Sequence, residues 1–115
     1  METNEYLCGV AAHPSSPAHF SDVMAISGLP ASLRESSHYR EGEYVSLKVD
    51  GARISAEKVN DHEYLFRGEG WVVGELRALC EALSRALGEN SISHKLEVYD
   101  QDDQLLQEFV FDPTA

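Results

Sequence analysis

Val72, Leu76, Leu79, Cys80, Leu83 and Leu87 recur at spacings of three and four residues, which places them on one face of an α-helix. Gly88 follows as a left-handed stop, and Glu81 with Arg85 forms an i,i+4 pair on the wet side. Ala78, Ala82 and Ala86 make a second stripe of small side chains, which lets the helix approach a sheet closely. A helix this one-sided must bury its stripe against another layer, and the segments around it supply one.

Residues Glu5 to Ala12 form a short apolar run stopped by His13-Pro14, read as a first strand. A short helix follows, with Ser16 as N-cap, Pro17 at N1, Phe20, Val23 and Met24 on one face, and Gly28 with Pro30 as its stop. Residues 31–42 are polar and aperiodic and read as a loop. From Glu43 the alternation resumes, Asp50-Gly51 marks a hairpin, and a third short strand runs through Tyr64 to Arg67 before Gly68-Glu69-Gly70 breaks it. After the main helix, Ile92 to Tyr99 and Leu105 to Phe111 form a terminal hairpin around the tip 100–104. The expected order is β-α-β-β-β-α-β-β: an α+β fold over residues 1–115, one domain, with a mainly antiparallel sheet packed against two helices.

Charge narrows the function more than the fold does. Twenty Asp and Glu stand against nine Lys and Arg, a net of −11, which disfavours nucleic acid and anionic membrane and favours a basic partner. The excess concentrates after residue 88, where Glu97, Asp100, Asp102, Asp103, Glu108 and Asp112 face a single Lys95. That hairpin is the expected partner-binding edge, together with Asp61 and Glu63 in the preceding turn and Glu69 beside Trp71. Trp71, the only tryptophan, reads either as a lid over the core or as an exposed anchor, and Tyr99 as a second anchor.

Chemistry is absent at the level of motifs. There is no nucleophile elbow, phosphate loop, dinucleotide fingerprint or Cys-x-x-Cys, so the chain is read as a non-enzyme with no cofactor. Asp100-Gln-Asp-Asp resembles the start of a calcium loop but lacks its central glycine and distal glutamate, and the five histidines are scattered, so no metal is expected. The histidines read as surface residues, and Cys8 and Cys80 as buried free thiols. With no basic leader and no run of about 20 apolar residues, a cytoplasmic location is expected, with no membrane contact.

The stretch Ile26-Ser-Gly-Leu-Pro30, then Arg34 and Arg40-Glu-Gly-Glu43, with Trp71 ahead of the second helix, is similar to an uncharacterised family of small bacterial α+β domains. Ser27-Gly28 departs from that family's Leu-Gly pair, and the resemblance implies a fold without an activity. In size, acidity and lack of catalytic motifs the chain also resembles the immunity proteins of bacterial polymorphic toxin systems, including those of type VI and contact-dependent effectors. That resemblance implies an inhibitor that occludes a basic toxin, with Asp61, Glu63, Glu69, Trp71, Glu97, Tyr99, Asp100, Asp102 and Asp103 as the contact set. The alternative is a small-ligand or regulatory domain in which a loop at 31–42, carrying Arg34, His38, Tyr39 and Arg40, gates a pocket; a homodimer is left open as the assembly.

Overall fold

Every second residue from Glu5 to Ala11 is buried and every residue between them is exposed, the signature of a strand with one wet face. The computed structural model describes residues 3–37 and 42–113. Its elements are β1 (Glu5–Ala12), α1 (Pro17–Ile26), β2 (Ala31–Glu35), β3 (Glu43–Val49), β4 (Ala52–Asn60), β5 (Glu63–Gly70), α2 (Glu75–Glu89), β6 (His94–Asp100) and β7 (Leu105–Phe111). The strands form one antiparallel sheet in the order β2-β3-β4-β5-β1-β6-β7, with both helices on one face, so the α+β expectation holds. The first strand in sequence is therefore an inner one, paired with β5 on one side and β6 on the other.

α1 begins as its sequence dictates. The Ser16 side chain accepts from the His19 backbone N–H, Pro17 occupies N1, and Gly28 leaves the helix at φ +90°. Phe20 and Met24 reach the core, where the Phe20 ring stacks on Tyr64 at 4.4 Å. The Tyr64 hydroxyl donates to Ser15 O at 2.7 Å, so the strand also holds the turn that starts α1. α2 buries Leu76, Leu79, Cys80, Leu83, Ala86 and Leu87, the stripe read from sequence.

Four local expectations are corrected. α2 starts at Glu75, so Val72 lies before it and is exposed, and the helix continues through Gly88 to Glu89. Residues 31–35 of the expected loop are the edge strand β2, hydrogen-bonded to β3 through pairs such as Ser32 and Ser46; this adds one strand to the expected order and leaves no gating loop there. His38, Tyr39 and Arg40 lie outside the described residues. Finally, Gly68 and Gly70 do not break β5 but belong to it. A side chain at Gly70 would press on Leu76 Cβ at 2.8 Å, so its absence lets α2 close on the sheet, and one at Gly68 would meet Arg53 O of the neighbouring strand at 2.9 Å.

The fourth correction concerns burial: Cys8, expected to be buried, is not. Cys8 is exposed on the uncovered face while Cys80 is buried in α2 on the other side of the sheet, where burial, then the Glu5 charge, pushes its thiol up to about 12. Both thiols are free. His94, expected at the surface, is buried, and both ring nitrogens are used: Nδ1 donates to Ile92 O at 2.8 Å and Nε2 is hydrogen-bonded to the Ser84 hydroxyl at 2.7 Å. It fastens α2 to β6.

Candidate functional site

Hairpin geometry collects distant parts of the chain at one end of the sheet. The Asp50-Gly51 turn has φ +93° at Gly51, and a Cβ there would lie 2.7 Å from Val72 Cβ, so only glycine fits. Its carbonyl accepts from the backbone N–H groups of Trp71 and Val72. Asn4 N donates to Gly70 O, and Gln101 Nε2 reaches Thr3 O at 3.0 Å, which ties the β6–β7 turn to the same end. Trp71 is half-buried, lies outside the core cluster, and is held by the β3–β4 turn through its backbone N–H. Val72 and Val73 continue the apolar step, 45% and 76% exposed.

The expected contact residues fall into three groups. Asp100, Asp102 and Asp103 share this end with Trp71 and with Asp50, while Glu69 sits just inside it. Glu97 and Tyr99 lie on the adjoining uncovered face, where Tyr99 stands opposite Tyr6. Asp61 and Glu63 are at the far end of β5, roughly 20 Å of extended chain away, so one partner epitope does not include them with the rest.

Several of these acids already have work within the fold. Asp100 Oδ1 accepts the backbone N–H groups of Asp102 and Gln104 at 2.8 and 3.0 Å and so shapes the turn. Glu69 is ion-paired with Arg53 and accepts from Thr3 Oγ1 at 3.5 Å. Glu97 and Glu108 both lie 4.0 Å from Lys95 Nζ. The Tyr99 phenol is held above its ordinary value by partial burial first, then by its hydrogen bond to Glu97 and the nearby charges. Asp102 and Asp103 are exposed, with no ion pair among the described residues, as are Asp61 and Glu63 at the far end.

Sequence reasoning gave Arg34 to a pocket but did not bring Lys48, Arg53 and Arg67 to it. Arg34, Lys48, Arg53 and Arg67, spread over four strands, line one open cavity of about 390 Å³ on the uncovered face, together with Tyr44, Ser46, Ser55, Gly68 and Glu69. The signal was present as alternation within each strand, but only the register gathers it.

Among the described residues no group of three His, Cys, Asp or Glu is placed to hold a metal ion, and no helix is long and apolar enough to cross a membrane. His13 and His19 stack at 6.4 Å, and His13 also meets the Phe20 ring at 5.6 Å. Burial, then the charges of His19 and Lys58, lower the His13 pKa below 6.5. The unfolded chain therefore binds a proton at His13 before the folded one does, and its contribution to stability, complete above pH 6.5, is lost as pH falls through the lowered value. Urea midpoints at pH 7.5 and 5.5 should drop less in His13→Gln than in the parent; equal drops would remove His13 as the cause.

Comparison with family models, with curated proteins and with solved structures gives no match, and the site stands on its own geometry.

Proposed function

We propose that this chain is an immunity-type inhibitor, a binding protein without catalysis that occludes a basic toxin or effector of a secretion system. The observation that carries the reading is the apolar step Trp71 to Val73, at the same end of the sheet as Asp50, Asp102 and Asp103. An apolar step that shares one end of the sheet with these acids suits a cationic surface: the charge speeds encounter, and desolvation of the apolar side chains slows release. At low ionic strength a net charge of −11 adds long-range attraction for such a partner. The mechanism is steric blockade, which asks nothing of the inhibitor but shape and charge.

The test uses the full chain as bait in its native lysate at low salt. One basic protein should be captured and released by salt, held by Asp61→Lys/Glu63→Lys at the far end, and lost by Asp102→Lys/Asp103→Lys. Equal capture by both variants would remove this end as the surface, and capture of no basic protein would remove the reading.

A further inference from the structure

We propose that the cavity on the uncovered sheet face is a binding site for a small organic phosphate carrying two or more negative charges. The site goes beyond the inhibitor reading and is carried by different residues.

The register builds the site. On the uncovered face Lys48 stands directly opposite Arg53, Ser55 opposite Arg67, Ser46 opposite Ser55, and Arg34 opposite Tyr44. Four of the nine Lys and Arg of an acidic chain are thereby brought to one concavity in which Glu69 is the only carboxylate among the described lining residues. Glu69 is ion-paired with Arg53, and among the described residues Arg34, Lys48 and Arg67 have no ion pair.

That arrangement runs against the stability of the free protein. Like charges directly opposite on neighbouring strands repel, and a chain with 20 acids has ample means to neutralise them. Three cations left facing one cavity are what a bound anion would neutralise.

The chemistry of the lining chooses among anions. Guanidinium groups match phosphate oxygens in two-point geometry, lysine adds a point charge, and the hydroxyls of Ser46 and Ser55 offer neutral donors. Among the described lining residues Tyr44 is the aromatic one, suited to a ring attached to the phosphates. A volume of about 390 Å³ falls within the range of small-molecule sites. Distant acids do not forbid the ligand, because at physiological salt charges beyond about 8 Å are largely screened. A long nucleic acid, by contrast, would extend over those acids and be repelled.

Calorimetry on the full chain with inorganic pyrophosphate and ADP as probes tests this. One-to-one binding below about 1 mM is expected for both, tighter for ADP. Lys48→Gln and Arg67→Gln should each weaken it about tenfold or more, while Arg85→Gln, exposed on α2, leaves it unchanged. Tyr44→Leu should remove the advantage of ADP over pyrophosphate. Thermal unfolding without ligand is the second readout: relief of repulsion holds or raises the Tm of Lys48→Gln. A lower Tm with no change in binding would make the cations structural and overturn the proposal. So would absence of saturable binding, equal affinity for citrate, or tighter binding of a short single-stranded oligonucleotide than of ADP.

Discussion

Phe20→Ala is expected to cost about 4 kcal/mol, the largest effect of any single truncation in α1. The ring is fully buried and sits at the junction of three aromatic neighbours: stacked on Tyr64 at 4.4 Å, tilted against Phe66 at 6.2 Å and against His13 at 5.6 Å. α1 has only ten residues, too few to persist in water without packing, so its helicity depends on what Phe20 and Met24 bury. A domain of this size has roughly 5–15 kcal/mol of total stability, and a loss of 4 would remove much of it. Urea unfolding followed by Trp71 fluorescence and by far-ultraviolet circular dichroism measures this and adds a second reading. Trp71 lies at the opposite end of the sheet from the Phe20–Tyr64 contact, so coincident transitions would show that α1 unfolds with the sheet. Helical signal lost ahead of fluorescence would show instead that α1 undocks alone and that Phe20 holds only its own helix.

The same packing explains what the sequence could and could not disclose. α2 was legible because its stripe is buried along its whole length and its opposite side is wet, so period and burial coincide. The Asp50-Gly51 hairpin and the Ser16-Pro17 start of α1 were legible because a single backbone requirement selects those residues. β2 was not: it is an edge strand of five residues, none fully buried, and even its core-side Leu33 is 39% exposed, so no alternation marks it. Gly68 and Gly70 misled because glycine near the end of a strand reads as a break, whereas here each is a place where another side chain occupies the space of a Cβ. The contact set read from charge was partly gathered and partly scattered for a related reason: composition reports how many acids a segment has, and only register reports which end or face they share. Segment totals likewise concealed the cations, since Lys48, Arg53 and Arg67 are interleaved with acids in sequence yet share one face in the sheet.

Arg77→Ala should destabilise the protein by about 3 kcal/mol, although Arg77 is itself partly exposed. The reason lies in its partner. Glu5 is on the core side of inner strand β1, only 5% exposed, and Arg77 Nη2 lies 3.1 Å from its Oε2. Its other oxygen has no hydrogen-bond partner among the described residues, so the guanidinium is the main compensation for a carboxylate taken out of water. Truncation would strand that charge beneath α2, next to the Cys80 thiol whose ionisation it already opposes. Replacing both partners, Glu5→Leu/Arg77→Leu, should recover most of the loss, because a buried pair removed whole also removes its desolvation cost. The double-mutant cycle, read from urea midpoints, therefore separates two roles. Recovery in the double variant makes the pair a device that fixes how α2 seats on β1 rather than a net source of stability. A double variant as unstable as Arg77→Ala would mean that the Arg77 side chain stabilises through its packing. A single variant within about 0.5 kcal/mol of the parent would mean that water reaches Glu5 and that apolar contacts alone seat the helix.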